Sequence, residues 1–368
     1  MQGFPTRAED ISRDWLQSAL DTANALDGAQ IASIDVAPIG TGQVGDTVRI
    51  ALSYDRPAPH APGSVAAKLP SRDATSRATA AQLRLYLHEV NFYARVAPLI
   101  PMRVPRAYCA QIDDTGSNFI LLFEDLSPAQ VGNQLAPCTL NQARAAIRQM
   151  ALLHASTEGL AMLDEDWLQP DVAAREWIIQ AYPGAQAMFR DRYAGQIEPE
   201  YLDICEQLAA HCATWFQFTP ATRCIVHGDY RLDNMLFDIR GGEEPMAVVD
   251  WQTCGIGGGT SDLGYFLGTG IGGDMRRAHE DELVELYCTE MTRLGVARSR
   301  ADIWDDYRIG ALSGLSTAVF SAAFVERTAR GDANFLSMAR GACSLARDHD
   351  SIGALLRHSE KRAETSPC

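Results

Sequence analysis

Asp229 and Asn234 stand five residues apart in the stretch His227-Gly228-Asp229-Tyr230-Arg231-Leu232-Asp233-Asn234, between two apolar runs, 224–226 and 235–237. A turn explains a lone Asp, and a cap explains a lone Asn. The pair, in a short loop between two buried-looking strands, asks for more. A third oxygen-bearing group, Asp250, closes the apolar run Ala247-Val248-Val249 and precedes Trp251. Phosphoryl transfer needs one carboxylate to orient and deprotonate a hydroxyl, and oxygen ligands for a hard cation. On that reading Asp229 is the base, and Asn234 and Asp250 hold Mg²⁺ against the transferred phosphate. His227 and Asp262 read as support. The imidazole would donate to a backbone carbonyl or to Asp262. Asp262, beyond the glycine-rich stretch 255–259, would be helix N-cap, loop brace or both.

A phosphate donor needs a cradle of its own. Residues 40–45 read Gly-Thr-Gly-Gln-Val-Gly, with Gly40, Gly42 and Gly45 in G-x-G-x-x-G spacing. Opening a helix, such a loop would hold a dinucleotide pyrophosphate. Here the alternating run Val48-Arg49-Ile50-Ala51-Leu52-Ser53-Tyr54 follows. Strand, glycine loop, strand is the flap that covers nucleotide phosphates in kinases; an ordinary glycine-rich hairpin is the plain alternative. Lys68 closes the run Val65-Ala66-Ala67, and only one other lysine, Lys361, stands among thirty arginines (32 − 2). A lysine in so arginine-rich a chain marks a place that wants a compact ammonium rather than a planar fork. Glu89, on the next helix, would fix it toward the nucleotide phosphates. The plain alternatives are a solvated strand end and a helix-surface charge. The spacing of Asp229 and Asn234 matches the protein-kinase pattern H-R-D-x-x-x-x-N. Arg231, two residues past the base, has two open readings: contact with the transferred phosphate, or a salt bridge to nearby acids.

These groups must be carried by elements, and the patterning names them. Thr6 and Glu9 give a capping box for an amphipathic helix over 6–27, with Ile11, Trp15, Leu16 and Leu20 on its apolar face. Strands are expected at 31–39, 48–54, 65–69, 104–112 and 118–124, with one helix over 78–97. Past Ser127 the pattern turns helical, near 139–156, 171–191, 199–216 and again 278–358, interrupted by the short strands around Asp229 and Asp250. This predicts an α+β chain of two lobes. Residues 1–124 form a small antiparallel sheet with one key helix and the phosphate loop. Residues 125–368 form a larger, mainly helical lobe with the catalytic loop, the metal site and the acceptor pocket.

Bulk properties narrow the function further. A chain of 368 residues with 46% hydrophobic content can bury a large core. No window approaches the ~18 consecutive apolar residues of a membrane span, and the charged start lacks a signal peptide's apolar run. The nine cysteines are scattered without C-x-x-C or zinc spacing, which reads as reduced thiols in a cytoplasm. A net charge of -15 argues against nucleic acid as a partner and suits a cationic or metal-bound substrate, or simply a soluble surface.

Taken together, His227-Gly228-Asp229 with Asn234, then Asp250-Trp251, then Asp262-Leu263 resemble the signature of the aminoglycoside phosphotransferase / choline kinase superfamily, which has a protein-kinase-like fold. The wording is most similar to ecdysteroid kinase-like proteins and to the kinase domain of some acyl-CoA dehydrogenases. The resemblance implies ATP and Mg²⁺ as cofactors and a small-molecule hydroxyl as acceptor: lipid-, sterol- or hydroxyacyl-like, or an aminoglycoside- or choline-like cation. It also implies that 119–126 is the hinge, with backbone near Glu124 and Leu126 binding adenine, and that Leu153-His154-Ala155 lies on the first helix of the large lobe. Trp177, Tyr182, Trp215 and Trp304 are candidates for lining the acceptor pocket. A P-loop NTPase lacks its G-x-x-x-x-G-K-[ST] here. A true protein kinase lacks room for an activation loop between Asp250 and Asp262. The rival of a different class is a catalytically inactive pseudokinase that binds a nucleotide or a partner; a nicotinamide enzyme is more distant.

Overall fold

The structure, a computed structural model, describes residues 3–39, 44–136 and 138–365. The chain divides into two compact units. The first gathers Met1–Leu99, Arg103–Ala129 and Asp238–Thr253; the second gathers Ile100–Met102, Gln130–Phe237 and Cys254–Cys368.

In the first unit, α1 (Arg13–Thr22) precedes strands β1 (Ile31–Pro38), β2 (Gly45–Tyr54) and β3 (Ser64–Pro70). Helices α2 (Ala74–Gln82) and α3 (Leu85–Asn91) follow, then β4 (Ala107–Ile112) and β5 (Phe119–Glu124). The five strands form one antiparallel sheet in the order β1-β2-β3-β5-β4. Alternation gives the sheet two different faces. Val48, Ile50, Val65, Ala67, Leu69, Ile120 and Leu122 point to one of them and pack under Ile11, Leu16 and Leu20. The other face carries Lys68, because Thr47 pairs with Lys68, Arg49 with Ala66, and Ala66 with Phe123.

Two expectations are corrected here. The first helix does not begin at a Thr6 capping box: residues Ala8–Asp10 form a single 3-10 turn, and α1 starts at Arg13 with Ser12 accepting from the Trp15 N–H. The single helix expected over 78–97 is broken at Arg84, whose φ of 57° lies in the left-handed region, and it ends in a π-helical turn, Phe92–Val96. The break gives α3 an axis separate from α2, and α3 carries Glu89.

The second unit is mainly helical. A two-residue strand, β6 (Gln130–Val131), leads to α4 (Leu140–Thr157), α5 (Val172–Arg192), α6 (Pro199–Ala210) and α7 (Cys212–Phe216). The short strands β7 (Cys224–Val226) and β8 (Met235–Asp238) then flank the Asp229 loop. The chain next gives β9 (Glu244–Val248), which lies in the first unit, and returns with β10 (Gly255–Gly257), antiparallel to β7. Helices α8 (Gly259–Thr269), α9 (Gly273–Arg293), α10 (Arg300–Phe324), α11 (Ala329–Asp348) and α12 (Ser351–Thr365) complete it. The α8 and α10 backbones meet at Gly264 and Gly310; a Cβ on Gly264 would lie 2.6 Å from the Gly310 carbonyl carbon. That close approach sets the position of α8, which bears Asp262 and Tyr265. Among the described residues no helix is long and apolar enough to cross a membrane.

Candidate active site

Each unit carries its own group of chemical side chains. In the first, Lys68 sits on the half-open face of β3, with its ammonium 2.7 Å from Glu89 Oε2, 2.9 Å from Glu89 Oε1 and 2.9 Å from Asp250 Oδ1. Glu89 is 1% exposed and also accepts from the Trp251 backbone N–H. The Trp251 ring stacks on Phe92 with centroids 3.7 Å apart and planes 4° from parallel, which locks the residue after Asp250 onto the helix that bears Glu89. Asp250 itself has φ 66°, an unusual conformation that a short polar side chain tolerates. Burial alone would drive the Lys68 pKa down, but the Asp250 and Glu89 carboxylates outweigh it and the net shift is upward. Burial pushes Glu89 up, against the pull of Lys68. The cluster is thus two carboxylates around one permanently charged ammonium.

Gly40 and Gly42 lie outside the described residues. Gly45 opens β2, where a Cβ would stand 2.9 Å from the Leu69 carbonyl oxygen, so the strand pairing itself demands glycine. Glu124 and Leu126 lie at the end of β5 and just beyond it. The Glu124 carboxylate is spent on charge: Arg103 reaches it at 2.9 and 3.1 Å, the Arg106 N–H at 3.1 Å, and Arg240 also pairs with it. Leu126 O accepts from Arg240 N at 3.3 Å, whereas the Leu126 N–H has no hydrogen-bond partner among the described residues.

In the second unit the loop between β7 and β8 holds Asp229 with both oxygens engaged. Oδ1 accepts from the Tyr265 hydroxyl at 2.6 Å. Oδ2 accepts from Arg231 Nε and from Asn234 Nδ2, each at 2.9 Å. Burial raises the Asp229 pKa, but Arg231 and the Tyr265 hydroxyl outweigh it and hold the carboxyl below its usual range. The same carboxylate and burial push Tyr265 well above the ordinary phenol range. Asn234 Nδ2 also donates to the Asp229 carbonyl at 2.9 Å. Its amide nitrogen is therefore committed, and Oδ1 remains as an acceptor with no protein partner among the described residues. Of the two readings open for Arg231, the structure records the salt bridge: Asp229 at 2.9 Å and Asp233 at 3.4 Å.

Of the readings open for Asp262, the structure records the loop brace. Asp262 does not cap α8; the N-cap is Gly258, and Asp262 sits in the first turn. Its carboxylate instead accepts from the backbone N–H groups of His227 at 2.7 Å and Gly228 at 3.0 Å. The loop is tied through its main chain, because a carboxylate satisfies two buried amides more fully than one imidazole could. The His227 ring turns back, with Nδ1 accepting from the Asp229 N–H at 3.2 Å. His154, fully buried on α4, reaches Asp262 at 3.3 Å and the Tyr287 hydroxyl at 3.0 Å.

Reading the sequence missed Tyr265 and Asp233. Tyr265 lies three residues after Asp262 on one helix, so both face one side, and that spacing was the available signal. Asp233 is held by Arg330 at 2.9 Å, Asn334 at 3.0 Å and the Gln134 N–H at 3.0 Å. Those partners come from α11 and the segment before α4, and nothing local foretells them. Of the four aromatic candidates, Tyr182 is fully buried and Trp304 packs on Tyr307, His349 and Arg300. Trp215 stacks on Phe218. Trp177 alone is largely open, at 47% exposure, and forms a cluster with Phe320 and Phe324.

Solved structures share this fold at low identity. Choline kinase from Cryptosporidium parvum superposes with a TM-score of 0.56 at 11% identity, over 93% of this chain and 98% of its own. The microcompartment-associated aminopropanol kinase gives 0.52 at 16% identity, over 94% and 99%. A Ralstonia eutropha protein assigned to the aminoglycoside phosphotransferases gives 0.53 at 17% identity, over 92% and 98%. The chain therefore has the α+β protein-kinase-like fold of these proteins. No curated protein matches it in sequence. The family model that matches spans residues 43–296, the greater part of the molecule, and on that match the chain belongs to the ecdysteroid kinase-like family.

Proposed function

We infer that this protein is an Mg-ATP-dependent phosphotransferase acting on a hydroxyl of a small molecule. The observation that carries the reading is Lys68, the scarce lysine of an arginine-rich chain, held by Glu89 and Asp250 on the half-open face of β3. A point charge fixed by two carboxylates suits nucleotide phosphates. The unpaired Leu126 N–H suits the edge of adenine.

The residues present fit Mg²⁺. The Lys68 cluster holds two carboxylates against one ammonium, an excess of one negative charge, and Asn234 keeps its carboxamide oxygen free. Among the described residues no three His, Cys, Asp or Glu converge on one point. Few protein ligands, completed by water and phosphate oxygens, are what Mg²⁺ accepts. Asp250 and Asn234 would hold it, and it would neutralise charge on the transferred phosphate. Asp229, kept ionised by Arg231 and Tyr265, accepts a hydrogen bond from the acceptor hydroxyl and orients it. A carboxyl with a lowered pKa is a weak base, so the proton moves late, in keeping with a loose transition state.

The open cluster of Trp177, Phe320 and Phe324 supports a bulky apolar alcohol, of the lipid, sterol or hydroxyacyl kind, over a choline-like cation. The cluster continues along α10 from Thr317, whose side chain hydrogen-bonds Tyr265. The inactive-pseudokinase reading has one observation in its favour, since both Asp229 oxygens are already engaged. Three donors still leave a carboxylate one of its roughly four lone-pair sites.

The test is thermal shift with an ATP analogue, with and without Mg²⁺, on wild type and Asp250→Ala, followed by ATP consumption over a panel of alcohols with Asp229→Asn as control. The expected results are an Mg-dependent rise in melting temperature that Asp250→Ala removes, and turnover that Asp229→Asn abolishes. Absence of any nucleotide shift in wild type, or unchanged turnover in Asp229→Asn, sinks the reading.

A further inference from the structure

Asp233 ties the Asp229 loop to the rest of the second unit, and its carboxylate is fully engaged. Oδ1 accepts from the Gln134 N–H at 3.0 Å and from Arg330 Nη2 at 2.9 Å. Oδ2 accepts from Asn334 Nδ2 at 3.0 Å and from Arg231 Nη1 at 3.4 Å. Four donors fill the roughly four sites that a carboxylate offers. Asp233 therefore has no site left for a proton or a cation, unlike Asp229. What it does hold is its own backbone, and the next residue along is Asn234.

The donors come from elements that are themselves fixed. Arg330 and Asn334 lie one turn apart at the start of α11, on one face of it. Asn334 is 6% exposed, and its Oδ1 is buried without a hydrogen-bond partner among the described residues, while Nδ2 serves Asp233. A buried amide that leaves its own oxygen unmet is placed for Asp233 rather than for itself. Residues 130–134 run along another side of the loop. Val131 pairs with Leu236, the Gly132 N–H donates to the Met235 carbonyl at 2.8 Å, and a Cβ on Gly132 would overlap the Leu232 carbonyl. Gln134 then bonds three times. Its N–H goes to Asp233, its Oε1 accepts from the Leu232 N–H at 3.1 Å, and its Nε2 donates to the Thr269 carbonyl at 2.6 Å. Residues Leu232–Asn234 are a single 3-10 turn, so these bonds pin the whole of it.

We propose that Asp233 is a positioning residue for Asn234: held by Arg330, Asn334 and Gln134, it fixes the turn on which Asn234 presents its free carboxamide oxygen to the cation. The proposal rests on the Mg-dependent reading above. It adds what that reading lacks, namely the side chain that aims the ligand. Groups that orient a ligand from behind set metal affinity without touching the metal. Arg231 gives the same clamp a second use, since it stands 2.9 Å from Asp229 and 3.4 Å from Asp233. With Arg330 and Asn334 on Asp233, the shorter contact of Arg231 stays with Asp229.

The test measures Kd for a non-hydrolysable ATP analogue, once with Mg²⁺ and once with EDTA. The proteins are wild type, Asp233→Asn, Arg330→Met and Arg330→Lys, with melting temperature without ligand as the check on folding. Asp233→Asn keeps the shape and turns an NH₂ group toward the donors. The expected result is about a tenfold rise in its Kd with Mg²⁺ and no change with EDTA. Arg330→Met, at a side chain 56% exposed, should move the same way to a smaller extent. Arg330→Lys should restore the wild-type value, because Arg330 reaches Asp233 through one Nη2 bond that an ammonium can replace. If Asp233→Asn fails to fold, the two Arg330 variants carry the test. A lowered melting temperature with Kd unchanged in both conditions overturns the proposal, since Asp233 would then support only the fold. Equal weakening with Mg²⁺ and with EDTA also overturns it, because the turn would then shape the nucleotide site as a whole. Wild type that binds the analogue equally well in both conditions overturns the Mg-dependent reading, and this proposal with it.

Discussion

The Tyr265 hydroxyl donates to Asp229 Oδ1 across 2.6 Å, from a helix whose next-nearest contact with the loop is Asp262. One helix thus holds both the backbone of the loop and its reactive carboxylate. Because Tyr265 is 1% exposed, its hydroxyl has no water to fall back on. Tyr265→Phe should lower turnover about tenfold, the worth of a hydrogen bond to a charged group, while the Kd for Mg-ATP stays as in wild type. A rise in nucleotide Kd matching the fall in turnover would show instead that the tyrosine shapes the whole site.

The Lys68–Glu89 pair should be worth far more broken than built. Lys68→Met strands a carboxylate that is 1% exposed, with only the Trp251 N–H to meet it. Unfolding free energy should fall by about 3 kcal/mol. Adding Glu89→Leu should recover most of that loss. Urea unfolding of the two single variants and the double closes the cycle, and strict additivity would mean the two residues do not depend on each other.

Asp262→Asn offers the loop one acceptor oxygen where it had two. Either the His227 or the Gly228 amide is then left facing an NH₂ group, at a cost of about 2 kcal/mol. Hydrogen exchange at those two amides should accelerate tenfold or more, ahead of the rest of β7. Unchanged protection there would show that the His154 and Tyr287 side of the network holds the loop.

Glu280 allows a pH test far from the reacting groups. It is nearly buried, and burial raises its pKa, but His349, Tyr307 and Arg276 outweigh that and the net shift is downward. Its bonds are to Tyr307 at 2.5 Å and to His349 and Arg276 at 2.8 Å each. A lowered folded-state pKa gives stability that is present above the unfolded value, about 4.3, and lost as pH falls through the folded one. Glu280→Gln should therefore melt lower than wild type at pH 7, with the gap closing below about pH 4. A gap that persists into acid would assign the loss to packing rather than charge.

Patterns read locally went far here. The alternation of Val48, Ile50, Leu52 and Tyr54 marked β2, and the apolar run ending at Lys68 marked β3. The scarcity of lysine singled out Lys68 before any contact was known. Those signals are local because a strand's period and a side chain's type are properties of a few neighbouring residues. Boundaries were less secure where a single backbone angle decides, as at Arg84, whose left-handed turn splits one helix into two. The grouping of 238–253 with the first unit, away from the segments that precede and follow it in sequence, had no local mark at all.

The sequence by itself determined which side chains this protein has for chemistry: an Asp and an Asn five residues apart, a second Asp before Trp251, and one lysine beside a glycine loop. It also determined the order of strands and helices, because hydrophobic period does not depend on distant residues. Tertiary structure alone decided the partners. It brought Tyr265 and Asp262 to the loop, laid Trp251 on Phe92, and left Trp177 open while burying Tyr182. Charge, burial and hydrogen bonding depend on what lies within a few ångströms in space, and contacts such as those across 35 or 182 residues of chain are not written in any local pattern.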